Sequence, residues 1–235
     1  MGDTKLWRIE SGKSLPSLPD VLALCFVYKV SSPTTQRFVD MVEAVQNGTG
    51  GWWEQFGDQV PSWLSLYVGM EQLAFDIQIY EPDLVHGLLQ TTEYALAAND
   101  NPDQAQHNAD LRMARQRAVF DRQDDYRMRV VLGAGALARQ VGGPAVMASQ
   151  IQHLRTLVQN PHLEIRTLGW DVGMHAAING PFARFEFSSP EEDPVVYVPL
   201  LAGGQYFEEP KQVRPYTDAF ASIWPQSTPV EEYAP

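Results

Sequence analysis

The segment Val85-His86-Gly87-Leu88-Leu89-Gln90-Thr91 carries a histidine, the side chain whose unperturbed charge changes near neutral pH. Tyr80, Glu81, Asp83, Glu93 and Tyr94 fall within one strand and turn of it. That grouping suits proton transfer: His86 would remove an acidic proton, with Glu81 or Tyr80 orienting the ring. Tyr94, or Asp171 and His175 four residues apart in a later loop, would serve as the complementary donor or acceptor. A base and a donor so placed fit dehydration, conjugate addition or cyclisation, in which an enolate develops and must be steadied. The plainer readings are a solvent-facing loop histidine at 86 and a hydrogen-bonded loop at 171–175.

Other chemistries are excluded by what the chain does not contain. The five histidines, His86, His107, His153, His162 and His175, show no metal-ligand spacing, and one cysteine, Cys25, cannot form an internal disulfide or a cysteine cluster. No metal is expected. Gly133-Ala134-Gly135 is a fragment of a dinucleotide loop without its third glycine, and no nucleophile elbow or phosphate loop occurs. Any chemistry is therefore expected to need no cofactor. Arg112, Arg115, Arg117 and Arg122 alternate with Asp110, Asp121, Asp124 and Asp125, which reads first as a solvated helix face; anion or ligand binding by Arg115 is the sharper alternative.

A ligand with an apolar body is suggested by the aromatic residues. Trp52, Trp53, Trp63, Tyr67, Phe75, Tyr80, Trp170, Phe182, Tyr197 and Tyr206 are expected to line a pocket collectively, although any one of them is ordinarily core. Charge argues against nucleic acid as the general partner. Seventeen Lys and Arg stand against 29 Asp and Glu in 235 residues, a net charge of −12. With 44% hydrophobic and 20% charged residues the chain has material for a sizeable core and is not disordered. No membrane span or signal peptide is read, so the expected compartment is the cytoplasm, with a homodimer as the other possible partnership.

The elements that must position these groups follow from periodicity and punctuation. Lys5 to Glu10 reads as a short helix, Pro19 opens a second that runs to Tyr28, and Ser31-Ser32-Pro33 opens a third through Val39, Val42 and Val45. Asn47-Gly48-Thr49-Gly50-Gly51 then breaks the chain, which places domains at 1–47 and 48–224. The alternation of Leu73, Phe75, Ile77 and Ile79 ends a helix and begins a strand to Tyr80. A loop covers Glu81 to Thr92, helices cover Ala109 to Phe120 and Pro144 to Val158, and strands are expected at 126–132, 163–168, 182–187 and 195–200. Tyr216 to Trp224 closes the domain as a helix, and the 225–235 tail is expected to be mobile. The fold class is α+β: a small helical N-terminal part and a larger domain whose mostly antiparallel sheet is flanked by helices.

Lys5-Leu6-Trp7-Arg8-Ile9-Glu10-Ser11-Gly12, followed by Pro16-Ser17-Leu18-Pro19-Asp20-Val21-Leu22-Ala23-Leu24, resembles the recognition helix and following turn of an actinomycete Xre-type helix-turn-helix regulator. The remainder resembles its companion domain, DUF5753, at Gly51-Trp52-Trp53, Tyr80-Glu81-Pro82 through Gly87-Leu88-Leu89-Gln90-Thr91, Arg115-Gln116, Val141-Gly142-Gly143-Pro144, Gly180-Pro181-Phe182 and Val196-Tyr197-Val198. The resemblance implies a DNA-binding module of five helices, of which the first two are missing here, so the helix carrying Thr4, Lys5, Arg8 and Lys13 is without its platform. Specific DNA is accordingly not expected as a partner. Against the family pattern His86 replaces a proline, Ala134 and Pro199 stand where acids are usual, and Trp170 enlarges a loop residue.

Three functions compete on these grounds. The first is a former regulator that binds an apolar metabolite and performs cofactor-free acid/base chemistry on it in a secondary-metabolite pathway, as a cyclase or lyase. The second is a ligand-responsive transcriptional regulator. The third is a protein that binds a ligand or partner without turnover. The histidine gained in a signature loop and the incomplete DNA module favour the first.

Overall fold

The computed structural model describes residues 3–10, 16–32, 35, 36, 38, 39, 42, 62–99, 101–123, 125–188, 193–201 and 203–234. The chain divides into two compact units, residues 1–57 and 58–235. The first holds α1 (Asp3–Glu10) and α2 (Leu18–Val27), with helical backbone again at Ser32, Thr35, Gln36, Phe38, Val39 and Val42. Pro19 lies in the first turn of α2, and the Asp20 carboxylate turns back to the backbone N–H of Ser17 at 2.9 Å, which closes a capping box. Asp20 also receives the Lys5 ammonium at 2.6 Å, and this pair, with Ser17, holds the Asp20 carboxyl down at about 2. Cys25 is buried, as expected for a small core residue.

The second unit is built on a seven-stranded sheet in the order β6-β5-β4-β1-β2-β3-β7. Its strands are β1 (Asp76–Glu81), β2 (Arg127–Gly133), β3 (Leu163–Leu168), β4 (Phe182–Glu186), β5 (Val195–Leu200), β6 (Gly203–Phe207) and β7 (Thr228–Pro229). Four of the neighbouring pairs are antiparallel, as expected, but β1–β2 and β2–β3 run parallel. The parallel centre follows from the connections. Helix α3 (Ser62–Leu73) precedes β1. Helices α4 (Thr92–Ala97) and α5 (Pro102–Phe120) join β1 to β2, and α6 (Ala134–Ala138) and α7 (Pro144–Leu157) join β2 to β3, long crossovers of the kind that parallel neighbours require. Helix α8 (Pro210–Ile223) follows β6.

Period-2 alternation gives the sheet two apolar faces. Ile77, Ile79, Met128, Val130, Leu132, Leu163, Ile165, Phe185 and Tyr197 pack with Tyr67, Tyr94, Val119, Met147, Ile151 and Leu154 on the first face. Tyr80, Val131, Leu168, Phe182 and Val196 pack with Val213, Phe220 and Ile223 of α8 on the second.

Several elements depart from expectation for identifiable reasons. Helix α5 starts seven residues early because Asn101 caps Asp103 N–H at 3.1 Å and Pro102 fits the first turn, although the opening turns are polar. Helix α8 runs through Pro215, with buried Val213 anchoring its first turns to the sheet. β6 was hidden by Gly203 and Gly204: Gly203 adopts φ +112°, and the Tyr197 ring lies directly where a side chain at 204 would project. The 225–235 segment, expected as a mobile tail, is packed onto the domain through Tyr233. β7 pairs with β3, Val230 is fully buried, and Arg155 donates to the Tyr233 carbonyl at 2.6 Å. Among the described residues, no helix is long and apolar enough to cross a membrane.

Candidate functional site

The carboxyl end of β1 leads into the His86 loop, which is locked from three helices. Thr91 caps α4 through Tyr94 N–H at 3.2 Å, and the Tyr94 hydroxyl accepts from Val85 N–H at 3.1 Å. Gln116 of α5 donates to the carbonyls of Gly87 (2.9 Å) and Gln90 (2.8 Å), and Gln150 of α7 donates to that of Leu89 at 2.7 Å while accepting from Thr91 N–H at 2.8 Å. Gln90 donates to Val85 O at 2.7 Å and accepts from Arg112 at 2.8 Å. The segment is thus tied to three helices by side-chain hydrogen bonds.

His86 is buried within it, contrary to the solvent-facing alternative. Its Nδ1 accepts from Leu88 N–H at 3.3 Å, capping the short 3-10 turn Gly87–Leu89. The ring proton of the neutral imidazole therefore sits on Nε2. Nε2 lies 3.0 Å from the Tyr67 hydroxyl, to which it donates. The hydroxyl in turn donates to the carboxylate of Glu71, one helical turn further along α3. Glu71 is fully sealed and takes two bonds of 2.6 Å from Arg115 Nε and Nη2. Arg115 crosses the Tyr67 ring with its guanidinium carbon 5.1 Å from the ring centroid and lies against Gly87, where a Cβ would stand 3.2 Å from Nη1.

Burial sets the protonation states. It drives the His86 pKa well below the usual histidine value, with Arg115 and Arg112 adding to the effect, so the imidazole stays neutral. The Tyr67 phenol is pushed well above its usual value by burial and by the Glu71 charge. Burial presses the Glu71 carboxyl upward against the opposing pull of Arg115, whose own guanidinium is kept protonated by Glu71 despite burial. Glu81, at the end of β1, retains some exposure, yet packing raises its carboxyl to about 8; Arg115 opposes that rise and Asp83 adds to it. A carboxyl raised to about 8, as Glu81 is, can gain or lose a proton close to neutral pH.

The expected site residues do not form one constellation. His86, Glu81, Tyr94, Tyr67, Arg115, Tyr197 and Tyr206 gather on the first face. Tyr67 packs edge-on to Tyr197 at 4.7 Å and to Phe185 at 5.4 Å, and Tyr197 meets Tyr206 at 5.0 Å. These rings fill core rather than line an open pocket. Tyr80 and Phe182 point to the opposite face, because residues 80 and 81 alternate across the pleat. There Tyr80 meets His175 Nε2 at 3.4 Å, which separates both from His86 by the sheet. Burial raises the Tyr80 phenol to about 12 and lowers His175. Asp171 folds its carboxylate back toward Gly169, Trp170 is 76% exposed, and Phe75 is exposed at the opposite end of β1. Trp52, Trp53 and the side chain of Trp63 lie outside the described residues.

The arginine run is a solvated face only at Arg117, which is exposed; the other three point inward to partners. Arg115 is sequestered by Glu71, which removes it as a free anion binder, Arg112 donates to Gln90, and Arg122 caps the carbonyls of Glu71 and Ala74 at 3.0 and 2.9 Å. Glu71, Gln90, Gln116 and Gln150 escaped the sequence reading. A glutamate inside an apolar helix, opposite an arginine-rich helix, was the available signal for the first. Among the described residues no three His, Cys, Asp or Glu side chains stand together as a metal site.

A mixed-sheet α+β domain wrapped around a buried His–Tyr–Glu–Arg network is thus the class of protein defined. The family model for a domain of unknown function, DUF5753, matches residues 64–233, and the chain belongs to that family. No curated protein matches it.

Proposed function

We propose that the second unit binds an apolar metabolite and carries out cofactor-free acid/base chemistry on it, with Glu81 as the proton-transfer group and His86 as a positioning residue. The observation that carries this reading is the placement of Glu81: a partly exposed carboxyl at the end of a central parallel strand, raised to about 8, beside a pre-organised and charge-balanced network. His86 fits the supporting role, since both ring nitrogens are already engaged. Dehydration, conjugate addition and cyclisation all suit a single carboxyl that alternates between acid and base.

The test uses the full chain and Glu81→Gln, each incubated with the small-molecule extract of the native host and followed by liquid chromatography–mass spectrometry. A new or isomerised product with wild type and none with Glu81→Gln supports the reading. A compound retained by both proteins in native mass spectrometry, without conversion, returns the choice to a ligand-responsive regulator or a binding protein.

The first unit is proposed to descend from an Xre-type helix-turn-helix module of actinomycete regulators without reading specific DNA, in a cytoplasmic protein. What supports this is Lys5, one of the side chains such a module would turn to DNA, which is drawn instead to Asp20 at 2.6 Å in a chain of net charge −12. Fluorescence anisotropy against promoter DNA is expected to yield no sequence-selective complex. One with a sub-micromolar dissociation constant overturns the proposal.

A further inference from the structure

The second face of the sheet carries a charge arrangement that the site above does not use. Asp76, whose side chain is 3% exposed, receives Arg127 Nε at 3.1 Å, Arg129 Nη2 at 2.8 Å and the Gln78 amide at 2.9 Å. Burial alone would raise its pKa, but Gln78 and the two arginines hold it below the ordinary value, so it is charged. Arg184, 8% exposed, sends Nη2 to Glu186 at 2.8 Å and keeps Nη1 3.9 Å from Asp76. Three guanidiniums therefore share two carboxylates. The buried Nε–H groups of Arg184 and Arg129 find no acceptor among the described residues. Arg129 lies over Phe220 at 5.7 Å and over Trp224 at 5.8 Å. These ring contacts favour its charge but do not satisfy that donor.

Arg184 also lines an open groove of about 300 Å³ beside α8. Pro194 and the buried Val213 give it apolar walls, Thr217 sits one turn beyond Val213 on the same helix face, Asp193 and Glu208 are exposed at its rim, and Arg214, also on the lining, is paired with Asp218 at 3.6 Å. Of Arg129 and Arg184 only Arg184 belongs to the groove, and a guanidinium there whose Nε–H lacks an acceptor among the described residues calls for an anionic one. The two acidic rim residues repel an isolated anion, and a dianion such as phosphate most of all. Both demands are met by one molecule that carries a carboxylate and, next to it, a protonated amine. The space holds roughly a dozen non-hydrogen atoms at the packing density of protein interiors.

We propose that this groove binds a small amino carboxylate, the size of a free amino acid with an apolar side chain, its carboxylate on Arg184, its ammonium toward Asp193 and Glu208, and its body against Pro194 and Val213. The site is independent of the Glu81 chemistry on the opposite face.

Saturation-transfer NMR and calorimetry on the full chain test it, with L-phenylalanine, L-leucine, N-acetyl-L-phenylalanine and L-phenylalaninamide as probes. Both free amino acids are expected to bind, and the N-acetyl and amide forms to bind at least about tenfold more weakly, because each loses one of the two charges. Since Arg184 is tied into the Asp76 cluster and its removal disturbs folding, two other variants carry the test. Thr217→Trp fills the groove and abolishes binding with an unchanged thermal midpoint. The exposed pair Asp193→Asn and Glu208→Gln removes the preference for the free amine over its N-acetyl form. Absence of binding by either amino acid, equal binding of the amide or N-acetyl form, or binding that survives Thr217→Trp overturns the proposal.

Discussion

Arg115 and Glu71 meet through two hydrogen bonds of 2.6 Å, with the carboxylate wholly sealed and the guanidinium nearly so. A buried pair of this kind gives little net stability over an apolar pair of similar volume, but breaking it leaves one uncompensated buried charge. Glu71→Ala and Arg115→Met are each expected to cost about 3–5 kcal/mol in urea denaturation. The double variant Glu71→Leu/Arg115→Met is expected to recover most of that loss. A double variant as unstable as the singles would show that Tyr67 and the surrounding turn, rather than charge balance, depend on the pair.

The His86 imidazole is expected to be neutral at pH 7, with its proton on Nε2, and to titrate well below the ordinary histidine value, because burial and two nearby arginines oppose its charge. Long-range proton–nitrogen correlation spectra read this directly. A titration midpoint near the ordinary value would contradict it.

His86→Ala leaves the Leu88 N–H without its acceptor in a buried site, takes from the Tyr67 hydroxyl one of its two partners and opens a void. A loss of about 2–4 kcal/mol in unfolding free energy is expected. An unchanged thermal midpoint would mean that the loop is held by Gln90, Gln116 and Gln150 alone.

Glu81 has a folded-state pKa of about 8, raised from the ordinary carboxyl value of 4.5. Between those values the folded state holds the proton more tightly than the unfolded chain. Its contribution is therefore fully present below about pH 4.5 and is lost as pH rises toward 8, where the loss levels off. Thermal midpoints of wild type and Glu81→Gln, measured from pH 5 to 9, are expected to diverge in that direction, the variant being flatter. Parallel curves would remove Glu81 as the near-neutral group.

The Val230 side chain, in the docked C-terminal segment, is fully buried in the core of the first face. Val230→Ala is expected to cost about 2 kcal/mol, the transfer free energy of the lost methyl groups plus the void they leave. A value near zero in urea denaturation would return the segment to a mobile tail.

The sequence disclosed elements where a regular period was unbroken: β3, β4, β5 and α7 lie within a residue of their expected bounds. It misled where one residue type has two meanings. Gly203-Gly204 reads as a turn, yet Gly204 is small because Tyr197 occupies its side-chain space. Pro215 reads as a boundary, yet it lies inside a helix anchored by burial. The gathering of His86, Glu81, Tyr67 and Arg115 was half legible, since the chemistry of His86 and Glu81 stands in one segment. Glu71 and the three glutamines come from distant parts of the chain, and only the crossovers bring them to the same loop. Tyr80 and Glu81 are neighbours in the chain but opposites in space, and that separation was readable from the strand period alone.

The position of β1 has a kinetic meaning. Asp76 faces Arg127 on one side and Glu186 on the other, so the middle strand waits for a neighbour about a hundred residues downstream before its second edge is closed. Until β4 arrives, the apolar run through Ile77 and Ile79 presents an open template for intermolecular pairing. Refolding should therefore be slow for a chain of this length and sensitive to protein concentration, with the β1 amides that face β4 among the last to gain protection from hydrogen exchange.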